Sequence, residues 1–224
     1  VPTATAESTP MCSDMQILTL TQWLSPTFPV GAFAYSHGLA GAVGQGWVSD
    51  GPGLEAWLED ILLFGSGRAD SLLLAAAFNA ETYQCLREVD RTARAFAASA
   101  ERRLETDLQG RAFGKALAAW GATAEGLTYP VALGAAAAQR DLPLALTQKL
   151  YLHALLSNLV AAGQRLLSVG QQEGQVILRR LTLRCPDVAE ETREGDLSKL
   201  ASAAFMTDIA SMRHEAQNSR IFRT

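Results

Sequence analysis

The sequence predicts an all-α fold, a single-domain helical bundle of about nine or ten helices with no significant sheet. Three observations carry this. Alanine and leucine dominate a chain that is 48% hydrophobic and 19% charged, while β-branched residues are sparse, and that bias favours helix. Apolar side chains recur at helical spacing, most plainly Leu54, Trp57, Leu58, Ile61 and Leu62 on one face. No segment alternates apolar and polar residues over the length of a strand. At 224 residues the chain can bury roughly 70% of the surface that its unfolded form exposes, enough for one sizeable core.

The elements follow in order. Ser13 or Asp14 caps a first helix over 14–24, which Ser25-Pro26 stops because the residue before proline is pushed out of the α region. After a loop rich in proline, glycine and aromatic residues, 36–45 forms a glycine-loosened helix, and Gly51-Pro52-Gly53 breaks the chain before the amphipathic run from Leu54. Further helices are expected over 69–86 and 88–107, the second carrying Glu88/Arg91 and Asp90/Arg94 at helical spacing as a solvated face. Helices over 111–124, 130–140 and 143–169 come next, with Pro130 and Pro143 where prolines open helices. Those over 172–183 and 196–215 complete the set. The proline- and acid-containing interruption at 185–196 is followed by only one helix and a tail, which cannot fold alone. One domain over 14–214 is therefore expected, between a leader (1–13) and a C-terminal tail (215–224).

The formal charge of -4, and the lack of any Lys/Arg run longer than two, argue against nucleic acid as a partner. Most of the positive charge is arginine, with lysine only at 115, 149 and 199, and the planar guanidinium suits interface ion pairs. Cys12, Cys85 and Cys185 are far apart and form no C-x-x-C, which reads as reduced thiols in a cytoplasmic protein. The polar leader has neither a basic n-region nor an apolar h-region and is expected to be disordered, not a signal peptide. The longest apolar uncharged run, between Lys149 and Arg165, contains His153, Ser157 and Asn158. It is too short and too polar to span a bilayer.

A search for chemistry points away from an enzyme. Ser36-His37 sits in A-x-S-x-G with no strand before it, so it is no nucleophile elbow. The glycines at 38, 41, 44 and 46 match neither dinucleotide nor phosphate-loop spacing; close packing of helix backbones is the plainer reading. His37, His153 and His214 are isolated from other metal-ligating residues in sequence, so neither metal nor cofactor is expected. A catalytic alternative would require a pocket in which Ser36, His37 and an acid converge.

Two segments remain unexplained by helix building: SPTFPVGAFAYSHG at 25–38 and AQNSRIFRT at the end. The first concentrates prolines, glycines and three rings in one loop; the second places two arginines and a phenylalanine in a short tail, the composition of interface anchors. Together with TYPVALGAA at 128–136, the stretch from Leu155 through Gln164-Arg165-Leu166 into GQQEGQ, and DIASMRHEAQ before the tail, they resemble the urease accessory protein UreF family. The resemblance runs from about Gln16 onward. Ala40 stands where that family is expected to carry an acid, and Thr224 where a final serine is commoner.

The resemblance implies a non-enzymatic, homodimeric assembly factor. Such a protein binds UreD (UreH in some systems) and recruits the GTPase UreG, so that nickel reaches apo-urease. It also implies partner contacts at Phe33, Tyr35, Ser36, His37, Arg213, Arg220, Phe222 and Arg223. Pro26 and Pro29 would stiffen a loop that displays Phe33 and Tyr35, and the tail would be mobile until UreD orders it. Alternatives are a regulator of UreG acting through Arg220 or Arg223, or a generic helical dimer scaffold.

Overall fold

The computed structural model describes residues 12–217 and 221–223, and all regular structure among them is helical. The helices are α1 (Asp14–Trp23), α2 (Leu39–Gly44), α3 (Gly51–Phe64), α4 (Ser66–Phe78), α5 (Tyr83–Phe96), α6 (Ala100–Leu117), α7 (Tyr129–Gln139), α8 (Leu144–Leu166), α9 (Gln171–Thr182), α10 (Cys185–Thr192) and α11 (Phe205–His214), with short 3-10 turns at Ala32–Ala34, Ala118–Trp120 and Leu197–Lys199. The all-α class stands as expected.

Helices α4 and α7 form the centre, with α3, α5, α6 and α8 around them. Both central helices are rich in alanine, and Gly134 marks where their backbones nearly touch: a Cβ there would lie 2.2 Å from the Leu74 carbonyl oxygen. One apolar cluster runs from Leu20 in α1 to Phe222 in the tail, as a single buried core requires. The stretch 51–78, formed by α3 and α4, is long and apolar enough to cross a membrane by composition. Its apolar residues are instead mostly buried against the other helices, and the backbone departs from helix at Gly65.

Several boundaries differ from expectation for reasons of capping. The breaks fall at 79–82 and 97–99, because the Thr82 hydroxyl accepts from the Cys85 N–H and the Ser99 hydroxyl from the Arg102 N–H, each satisfying a donor that a helix start leaves orphaned. The expected interruption at 185–196 holds α10, whose first turn contains Pro186 and whose Cys185, Val188, Ala189 and Thr192 face the core. The expected helix over 196–215 begins only at Phe205. Upstream of it, the Asp196 carboxylate accepts from the Ser198 N–H, and the Ala203 N–H donates to the Phe64 carbonyl. The first bond caps the short 3-10 turn at Leu197–Lys199 and the second ties the chain to the α3–α4 junction, so the α-helix starts only after them.

Candidate functional site

The loop after α1 is anchored from below. Phe28 packs against Phe113 and Trp120, with ring centroids 5.6 and 5.8 Å away, and Trp23 completes the aromatic cluster. Gly31, at φ 73°, turns the chain into Ala32–Ala34 in a conformation that favours glycine. This leaves Phe33 66% exposed. Tyr35 points the other way and is 5% exposed, which corrects the expectation that it is displayed. Ser36 and His37 are buried too: the Ser36 hydroxyl accepts from the Ala40 N–H, and the His37 ring enters the core. The 3-10 turn at Ala32–Ala34, followed by extended backbone at Tyr35, sends the two side chains in different directions; an uninterrupted extended stretch would have put both on one face.

The described part of the tail is docked on this loop. The Arg223 N–H donates to the Ala34 carbonyl at 2.8 Å, and Phe222 is 3% exposed. Arg165, near the end of α8, ties the two together: its Nη2 donates to the Phe33 carbonyl at 3.1 Å, and its guanidinium lies 4.4 Å from the centroid of the Phe222 ring. Where the sequence predicts a mobile tail, residues 221–223 lie against the body with a buried ring and a backbone hydrogen bond. Ile221 remains 73% exposed, so Phe33 and Ile221 are large apolar side chains displayed by one clasped unit. Arg213 is exposed, with its guanidinium 5.3 Å from the Trp47 ring; Arg220 lies outside the described residues. Replacing Arg165 with methionine removes a hydrogen bond and a cation–π contact, together worth about 1–2 kcal/mol. The Arg223 amide is expected to exchange with solvent at least about tenfold faster in that variant, measured by NMR, with the melting temperature of the body unchanged.

Beneath the loop lies a buried ion cluster that no sequence motif announced. Arg102 pairs with Glu105 and lies 3.8 Å from Asp70; Gln109 donates to Glu105, and the Tyr151 hydroxyl donates to Asp70 at 2.8 Å. His37 closes the group, with Nε2 2.9 Å from Arg102 Nη1 and 3.0 Å from Glu105 Oε1, and Nδ1 3.1 Å from the Ser66 hydroxyl. Ser66, His37 and Glu105 therefore converge, whereas Ser36 does not. Nε2 thus lies between Arg102, which can only donate, and the Glu105 carboxylate, which can only accept, so the proton positions on the ring follow whichever of the two Nε2 serves, and Nδ1 meets the Ser66 hydroxyl as donor or acceptor accordingly.

Burial alone would raise the carboxyl of Glu105, but Arg102 and then His37 outweigh it and hold it at about 2, below its ordinary 4.5. Burial dominates at Asp70 and pushes its carboxyl up despite Arg102 and Tyr151. A folded value below the unfolded one means that Glu105 stabilises fully above the unfolded value and loses that contribution as pH falls from about 4.5 toward about 2, up to about 3 kcal/mol in all. Asp70 works in the opposite sense and is relieved by acid, so the net loss is smaller. Urea unfolding at several pH values is expected to give falling stability below about pH 4.5, and Glu105→Gln to flatten that fall.

On its far side the loop runs into α2, which holds α11 by a glycine seam. A Cβ on Gly38 (φ 79°) would lie 2.9 Å from Ser211 N and Thr207 O, and one on Gly41 2.8 Å from Ala210 O. The reading of these glycines as close packing of helix backbones holds there. His214, fully buried, meets Glu101 at 2.7 Å, and Ser99 meets Ser211 at 2.7 Å. The opposite face of α11 exposes Phe205, Met206, Ile209 and Met212. Sequence periodicity would have buried that apolar stripe; the glycines opposite were the signal that the small and polar face packs inward.

Fold and site together define an all-helical protein whose loop and tail are clasped into one surface with apolar side chains on display. The UreF family model matches residues 48–182. The chain belongs to the UreF family of urease accessory proteins. Its loop and tail lie outside the matched span, but curated relatives align over most of the chain. Urease accessory protein UreF of Ruegeria pomeroyi is 49% identical over 213 residues, covering 95% of this chain and 98% of the relative. The protein of the same name from Ruegeria sp. is 56% identical over 208 residues, covering 92% and 97%, and that from Rhodopseudomonas palustris 44% over 220, covering 92% and 90%. These relatives are named as accessory proteins and not as enzymes.

Proposed function

We propose that this chain serves urease maturation as an adaptor: it binds UreD (UreH) and recruits the GTPase UreG, so that nickel is inserted into apo-urease. It acts as a non-enzymatic homodimer in the cytoplasm, away from membranes. The observation that carries the reading is the clasped display of Phe33 and Ile221. Two large apolar side chains on a loop and tail fastened by Arg165 and the Arg223–Ala34 hydrogen bond are costly to leave in water and cheap to dock, because folding has already met their ordering cost. Family membership supplies the kind of partner. Tyr35, Ser36 and His37 then act from behind the surface, holding the loop on the body, while Phe33, Ile221 and Arg223 make contact.

Size-exclusion chromatography with light scattering on the chain mixed with UreD and GTP-loaded UreG tests this. A stable complex containing all three is expected, with UreG lost from it when Phe33 and Ile221 are both replaced by serine. Failure of the intact chain to bind either protein would overturn the adaptor reading.

A further inference from the structure

Beside the clasped unit, the outer surface of α6 carries a feature that the loop and tail do not account for. Leu104, 58% exposed, and Leu108 one turn on share a trough with Ile221, Phe222 and Arg223 from the tail. On a helix, positions 103, 107, 111 and 115 form the row adjoining 104 and 108, and here that row reads Arg103, Asp107, Arg111, Lys115. The charges in it are used unequally. Asp107 is spent on Arg94, and the acids on the neighbouring turns are engaged as well, Glu101 with His214 and Glu105 with Arg102. Arg103, Arg111, Lys115 and Arg223 are all exposed and form no ion pair among the described residues. Glu101 and Glu105 also line the trough, but both are engaged; of the α6 bases only Arg102 turns inward, and Arg103, Arg111 and Lys115 face outward on a protein whose overall charge is negative.

We infer that this trough receives an acidic amphipathic helix of a partner protein, an inference that rests on the adaptor reading. The apolar side chains of such a helix, spaced three and four residues apart, would fill the space between Leu104, Leu108 and Ile221, as helix-in-groove docking does. Its carboxylates would meet Arg103 and Arg111 on one flank and Arg223 at the tail. Unpaired surface arginines recognise carboxylates in bidentate fashion and steer an oppositely charged partner on approach. A basic or neutral helix would meet repulsion or leave these guanidiniums unpaired in a closed interface.

The test uses the full chain with UreD and UreG. Arg103→Glu with Arg111→Glu alters exposed, unpaired side chains, so circular dichroism and melting temperature are expected to stay as in the intact chain. Complex formation is expected to weaken at least about tenfold, and its salt dependence to become shallower. A photo-crosslinking residue, p-benzoylphenylalanine at position 104, is expected to label a partner segment with helically spaced apolar residues and interspersed Asp or Glu. Undiminished binding of the double variant, or crosslinks confined to a basic or non-helical segment, would overturn the trough while leaving the adaptor reading intact. Absence of any complex with the intact chain would remove the adaptor reading, and the trough with it.

Discussion

Replacing Arg102 with methionine is expected to destabilise the protein by about 3–5 kcal/mol, because it leaves Glu105 and Asp70 buried without their cation. The guanidinium is the only cation within the cluster at all pH values; it pairs with Glu105, approaches Asp70 and contacts Nε2 of His37. With Arg102 gone, Glu105 retains Gln109 and His37, and Asp70 retains the Tyr151 hydroxyl. The two carboxyls would then take up protons at higher pH than before, so the variant is expected to lose most stability at neutral pH and to recover part of it in mild acid. Chemical denaturation at several pH values measures this directly. Adding Asp70→Asn and Glu105→Gln removes the stranded charges and is expected to restore much of the loss. Failure of that rescue would mean that Arg102 contributes through packing and not through charge.

The second large effect is expected at the glycine seam. Gly38→Ala combines a left-handed backbone position, costing about 1 kcal/mol for a residue with a Cβ, with a methyl group driven to 2.9 Å from backbone atoms of Ser211 and Thr207. Gly41→Ala sets its methyl group 2.8 Å from the Ala210 carbonyl. Backbone atoms cannot swing aside as a side chain can, so each substitution should cost about 1–3 kcal/mol in overpacking, and the double variant should lift α11 from α2. Faster proteolysis between 200 and 217 and weakened UreD binding are the expected readouts. Gly46→Ala provides the control: it has the same positive φ with open space where a Cβ would stand, so it should cost only the backbone term and leave α11 in place.

These two sites show where sequence reasoning reached and where it stopped. Helix class was legible because alanine-rich composition and the Leu54–Leu62 pattern are local properties. Boundaries at Thr82 and Ser99 were missed although both residues are good caps, because an amphipathic pattern continues across a break when the next helix keeps a similar face. The loop and tail stood out by composition, and the structure brings them together. Which of their side chains turn inward depends on the 3-10 turn at Ala32–Ala34 and on Arg165, which lies 132 residues from Phe33. The ion cluster was illegible for the same reason. His37, Asp70, Arg102, Glu105 and Tyr151 lie on four separate segments and acquire a common meaning only once α4, α6 and α8 pack.

That loop and tail form one surface, and that this surface takes the partner, is tested most directly by hydrogen exchange across 28–38 and 215–224, in the free protein and with UreD bound. The Arg223 amide should already be protected in the free protein, and both segments should slow together when UreD is added. Exchange of that amide at the rate of an open chain in the free protein, or slowing on UreD binding confined to other helices, would contradict the account.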